Sequence, residues 1–119
     1  MNEKKIINSN KAPKAIGPYS QGIVSSEHIF LSGQIPLDES GKLCDGTIEE
    51  QVELIFKNIG HLLKTQNCDL RNIVKLTVFL KDIADFDAVN SKMIELFEEP
   101  YPARSLVQAA ALPKNVDVE

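Results

Sequence analysis

The amino-acid sequence predicts an α+β fold: a two-layer domain in which two helices cover one face of a mixed β-sheet. Three observations carry this. Two segments repeat apolar residues at helical spacing, each opened by a capping residue. Runs rich in β-branched residues lie before, between and after them. The chain has 119 residues, 43% hydrophobic and 25% charged, which suits one domain over 1–119 built on one core.

The elements follow in order. Lys4 to Ser9 reads as a short first strand. Pro13, Gly17 and Pro18 make the next stretch irregular, ending in IGPYSQG. Gly22 to Ser26 and His28 to Ser32 read as a hairpin around a Ser-Ser-Glu turn, and residues 36–42 as a polar loop. Thr47-Ile-Glu-Glu50 fits the capping box. From there Ile48, Val52, Ile55, Phe56, Ile59, Leu62 and Leu63 form one helical face running to about Thr65. Gly60 inside it costs about 1 kcal/mol against alanine and is read as allowing close packing on a sheet.

Ile73 to Leu80 is a nearly continuous apolar run, suited to a buried central strand. Asp85 is placed as the cap of a second helix carrying Phe86, Val89, Met93, Leu96 and Phe97 on one face. Pro100 and Pro102 stop it and launch a further strand, ending near Leu112. Val116 to Glu119 forms the last strand. Two helices with one apolar stripe each cover only one sheet face. The other is expected to pack on further copies of the chain, because large exposed apolar patches mark interfaces.

Composition excludes several function classes. The net charge is −4, which speaks against nucleic acid as the main partner, since phosphate binding wants a basic face. The N-terminal residues carry no apolar signal core, and no segment has membrane-spanning length. Cys44 and Cys68 are far apart and read as free thiols of a reducing compartment. His28 and His61 are the only histidines, too few for a multi-histidine metal site.

Arg104 stands out, at the start of an otherwise apolar strand. A guanidinium cannot shed its charge on burial, so it needs a partner. The local sequence favours a structural carboxylate, with Glu119 in the following strand as candidate. The alternative is an anionic ligand held by the planar fork; Glu119 would then be a general acid or base beside it. Tyr19 lies on a constrained loop and reads in isolation as a packed tyrosine. Ser32-Gly33 reads as ordinary turn chemistry that could also hold a polar ligand, and Asn90 as a solvated helix position.

Four stretches change this weighing: AIGPYSQG (15–22), FLSGQIP (30–36), NIVKLTVFLKDIADFDAVN (72–90), and YPARS with VQAAALPKNVDVE (101–105, 107–119). In combination and order they resemble the RidA (YjgF/UK114) family of reactive enamine/imine deaminases. The resemblance implies a chorismate-mutase-like homotrimer in the cytoplasm, with sites in clefts between subunits and neither metal nor organic cofactor. It implies hydrolysis of 2-imino acids, such as 2-iminobutanoate and 2-iminopropanoate, to 2-oxo acids and ammonia. Arg104 then clamps the substrate carboxylate, Glu119 activates water, and Tyr19, Ser32, Gly33 and Asn90 line the pocket. Leu106 stands where many members have cysteine, so a reshaped pocket is expected. The loop over residues 97–102 is shorter than in many members, and the last strand is expected to be cut short at Glu119. The runners-up are a non-enzymatic 2-oxo acid-binding or regulatory trimer and, behind it, an endoribonuclease or translation inhibitor.

Overall fold

A computed structural model describes residues 3–119. The chain folds as a small α+β structure with two helices over mixed sheets. Strands β1 (Lys5–Ile7), β2 (Gly22–Ser25) and β3 (His28–Leu31) form an antiparallel sheet in the order β1-β2-β3. Helix α1 (Ile48–Lys64) crosses to a second sheet. There β4 (Lys75–Leu80) pairs in parallel with β5 (Ala103–Gln108), and α2 (Phe86–Leu96) provides the crossover. The last segment returns along the other edge of β4. Phe79 and Glu119 exchange both backbone hydrogen bonds at 2.9 Å, and Leu80 bridges Val118. Val116 to Glu119 is thus a strand-like third member of this sheet.

Local chemistry explains most of these boundaries. The Thr47 hydroxyl accepts from the Glu50 amide at 3.2 Å and caps α1. The return contact differs from a full capping box, because the Glu50 carboxylate takes the Thr47 hydroxyl instead of its amide. At the other end Asn67 adopts a left-handed φ of 57°, and the Cys68 amide reaches back to the Leu63 carbonyl at 3.1 Å. This is the αL stop that asparagine tolerates better than most residues.

The core confirms the helical stripe of α1. Val52, Ile55 and Phe56 pack with Val78 and Leu80 of β4, with Val89 and Met93 of α2, and with Phe97 and Val118. Leu62 packs separately with Ile7 and Ala12 against the first sheet, so α1 bridges both. Within β4, Leu76, Val78 and Leu80 turn inward while Lys75, Thr77 and Phe79 stay exposed. The outward apolar residues Phe79, Val107 and Phe30 leave the far sheet faces uncovered in a single chain.

Several expectations need correction. β4 is not buried on both faces; its burial alternates, as in a sheet covered on one side only. β5 ends at Gln108 and is not a buried run, since the backbone leaves the ladder after Ala109 donates to Leu80. Asp85 makes no cap hydrogen bond. Asp82 caps instead, accepting from the Ala84 amide at 2.9 Å at the start of a 3₁₀ turn that runs straight into α2. Gly60 faces open space, with nothing within 4 Å of an added Cβ, so it permits no close packing. As expected, both cysteines are free thiols. Among the described residues no helix is long and apolar enough to cross a membrane.

Candidate functional site

The parallel register of β4 and β5 sets Arg104 beside Leu76 and Leu106 beside Val78. Registered neighbours share a face, so both side chains point toward the helices. Leu106 packs on the core cluster. Arg104, nearer the strand start, meets α2 instead. Its Nη1 donates to Asn90 Oδ1 at 2.7 Å and to Met93 Sδ at 3.3 Å, and its Cζ lies 5.5 Å from the centre of the Phe86 ring. All three partners are neutral. Among the described residues the ion pairs join Arg71 to Asp69 and Lys92 to Glu53 and Glu95; none involves Arg104.

This overturns the structural pairing of Arg104 with Glu119. Glu119 opposes Phe79, whose side chain lies on the outer face of the sheet, while Arg104 lies on the inner one. The two cannot meet within one chain. The Glu119 carboxylate lies against Gly33 instead. A Cβ built on Gly33 would collide with Glu119 Oε1 and sit 3.1 Å from its Cδ. Burial without a neighbouring cation holds the Glu119 carboxyl above its ordinary value of 4.5.

Ser32 fixes the loop beside this carboxylate. Its hydroxyl donates to the Ser20 carbonyl at 2.5 Å and its amide to the Gln21 carbonyl at 3.0 Å. Tyr19 on that loop is 49% exposed, and its hydroxyl accepts from the Ile16 amide at 3.2 Å. It is therefore not the packed tyrosine of the local reading. Nor is Asn90 a solvated position: it is half-buried and orients Arg104.

The candidate residues thus fall into two groups. Arg104 and Asn90 sit on the helix side of the second sheet. Glu119, Gly33 and Ser32 gather between its outer face and the end of β3, with Tyr19 on the loop that Ser32 holds through the Ser20 carbonyl. A cleft of about 750 Å³ holds neither group. It lies at the start of α1, lined by Gln51, Lys81, Asp82, Asp85 and Asp117 among others, and its three carboxylates would repel an anion.

Sequence reasoning missed three contributors. By sequence Phe86 and Met93 read as core only, yet both touch Arg104. The available signal was their spacing with Asn90, i, i+4 and i+7, which puts all three on one helix face. Gln21 is 5% exposed. Its amide donates to the carbonyls of Ser9, Ala12 and Pro13 and accepts from the Ser9 amide at 2.7 Å, which ties down the loop that carries Tyr19.

A family model described as endoribonuclease L-PSP matches residues 9–119. The chain belongs to this family. It is 44% identical over 117 residues to the human protein named 2-iminobutanoate/2-iminopropanoate deaminase, covering 98% of this chain and 85% of that one. Two solved members of the endoribonuclease L-PSP/RidA group share the fold. RidA from an Antarctic Psychrobacter is 37% identical with a TM-score of 0.92, covering 96% of this chain and 93% of that one. E. coli TdcF, solved with bound serine, is 38% identical with a TM-score of 0.90, covering 97% and 93%. The family that the PARS, GPYSQ and SGQIP motifs resemble is thus the family to which the chain belongs.

Proposed function

We propose that the protein is a 2-imino acid deaminase, hydrolysing 2-iminobutanoate and 2-iminopropanoate to 2-oxo acids and ammonia. One observation carries this reading. Arg104 is held in place by three neutral groups and keeps its full charge available. A structural ion pair would have spent that charge on a carboxylate. The human relative's name supplies the reaction class, and the serine bound to TdcF carries the kind of carboxylate that such a guanidinium would take.

The chemistry asks little of the protein. The C=N carbon of an imine or iminium is already electrophilic. Arg104 fixes the carboxylate next to it, which sets the orientation of attack. Glu119 accepts a proton from water as the oxygen adds to carbon. It passes that proton to nitrogen, giving a carbinolamine; it then takes the remaining hydroxyl proton and delivers it to nitrogen as the C=O bond forms, the C–N bond breaks and ammonia leaves. A carboxyl held above its usual range by burial suits a group that must both take and give a proton. Ser32 and Gly33 offer polar backbone beside it, Tyr19 closes the loop side, and Leu106 contributes through its strand backbone.

Because Arg104 and Glu119 lie on opposite sheet faces of one chain, we place the reacting carbon between Arg104 of one copy and Glu119 of a neighbour in a homotrimer. The uncovered apolar residues Phe30, Phe79 and Val107 supply a surface for such an assembly. Degradation of RNA fits less well, since the net charge is −4 and the site offers one guanidinium, not a basic track. The test is release of 2-oxobutanoate in a reaction coupled to a threonine dehydratase. The protein should accelerate it, and Arg104→Ala should lower kcat/KM at least about a hundredfold, as expected for loss of a charged two-point contact. Equal inactivity of both folded proteins would overturn the reading.

A further inference from the structure

Arg104 has two edges on which a carboxylate could form two parallel hydrogen bonds: the end, Nη1 with Nη2, and the side, Nε with Nη2. The two are not equally open. Nη1 already donates to both Asn90 Oδ1, at 2.7 Å, and Met93 Sδ, at 3.3 Å. It has two hydrogens, so two acceptors occupy it fully. Phe86 lies over the guanidinium, its ring centre 5.5 Å from Cζ. Among the described residues no acceptor takes the Nε or Nη2 hydrogens.

We infer that Met93 is a positioning residue which, with Asn90, occupies Nη1 and so directs a ligand carboxylate onto the Nε–Nη2 edge of Arg104. This rests on the proposal that Arg104 binds a carboxylate and adds which edge it uses and why. Asn90 alone would leave one Nη1 hydrogen free and the end-on mode open. The thioether closes that mode. Sulfur is a weak acceptor, but it is polarisable and buried, and an alkyl group there would leave an N–H facing carbon. The same contact restricts rotation of the guanidinium, because both acceptors sit on one helix, at i and i+3 of α2. A carboxylate on the side edge lies in the guanidinium plane, clear of Phe86. A planar 2-oxo or 2-imino acid, whose carboxylate and C=O or C=N share a plane, can meet it without twisting.

The sequence permits a clean test. It has two methionines, Met1 and Met93, and two arginines, Arg71 and Arg104. Biosynthetic replacement of methionine by norleucine therefore changes the sulfur at one site among the described residues. The Arg104 Nε–H signal can be assigned in a ¹⁵N spectrum by its persistence in Arg71→Lys. On titration with 2-oxobutanoate the Nε–H signal should move downfield and exchange more slowly with water. In the norleucine protein, affinity for 2-oxobutanoate should fall about three- to tenfold, the worth of one modest hydrogen bond, and the Nε–H shift should shrink. Made in Arg104→Lys, which has no fork, the same replacement should change affinity by less than about twofold.

Three results would overturn the inference. If binding depends on Arg104 but its Nε–H signal does not move, the ligand uses another edge, and only the inference fails. If norleucine changes neither affinity nor shift, Met93 has no positioning role. If 2-oxobutanoate does not bind, or binds Arg104→Ala equally well, both the inference and the deaminase reading fail.

Discussion

Arg104 Nη1 donates to Asn90 Oδ1 at 2.7 Å, across the seam between β5 and α2. The acceptor is an amide, so this bond does not compensate the guanidinium's charge. A carboxylate there would satisfy the guanidinium and cancel its charge. An amide orients it and leaves the charge uncancelled, as the proposed carboxylate binding requires. Met93 and Phe86 do the same, one through sulfur and one through its ring face.

Asn90→Asp tests this relationship directly. The added carboxylate would form a charge-assisted bond with Arg104. We expect a melting temperature equal to or above wild type, and KM for the imine raised at least about tenfold by competition for the guanidinium. Thermal melts and steady-state kinetics on one preparation check both. A variant that loses stability as well as affinity would show that Asn90 serves the fold first.

Gly33→Ala probes the other group. The added methyl would occupy the place of the Glu119 carboxylate, which must swing away. Because Glu119 is the end of a strand-like segment and half-buried, we expect a stability loss under about 1.5 kcal/mol. We expect kcat to fall at least about tenfold with KM little changed, since only proton transfer is displaced. A fall in affinity without a fall in kcat would place Glu119 outside the chemistry.

Burial holds the Glu119 carboxyl above 4.5, so its pH effect has a definite sign. The folded chain keeps this proton more tightly than the unfolded chain. Its contribution to stability is full below 4.5 and is lost as pH rises through the elevated native value. Glu119→Gln should therefore melt higher than wild type at neutral pH, with the difference vanishing below pH 4.5. The acid limb of kcat/KM in wild type should have its midpoint above 4.5 and be absent from the variant's residual rate.

Gly60→Ala should raise stability by about 0.5–1 kcal/mol, because an added methyl meets nothing within 4 Å and alanine is the better helix former. Denaturant melts check it. A loss would restore the close-packing role that the structure removes.

Much of this molecule was legible from its residues. The stripe Val52, Ile55, Phe56, Leu62 and Leu63 is the buried face of α1, and the hairpin closes at Ser26 as its turn residues imply. Arg104 was conspicuous because an unpaired charge in an apolar run demands an explanation. Its partner was not legible. Whether Arg104 faces Glu119 or Asn90 depends on strand parity, and parity depends on which edges β4 shares with β5 and with the last segment. No local pattern encodes that pairing. Buried amides were equally hidden: Gln21, Gln51 and Asn58 look like surface residues until their carbonyl and carboxylate partners are in place. Phe86 shows the converse. It falls on the apolar stripe of α2 yet is 40% exposed and has a guanidinium as a neighbour.

In the proposed mechanism Arg104 and Glu119 act together only across two copies of the chain. Arg104→Ala and Glu119→Gln, each expected to be nearly inactive alone, should therefore complement when unfolded together in equal amounts and refolded as mixed assemblies. Random assembly gives a site with both native residues about one time in four, so deaminase activity should return to roughly a quarter of wild type. A refolded mixture no more active than either variant alone would contradict the claim.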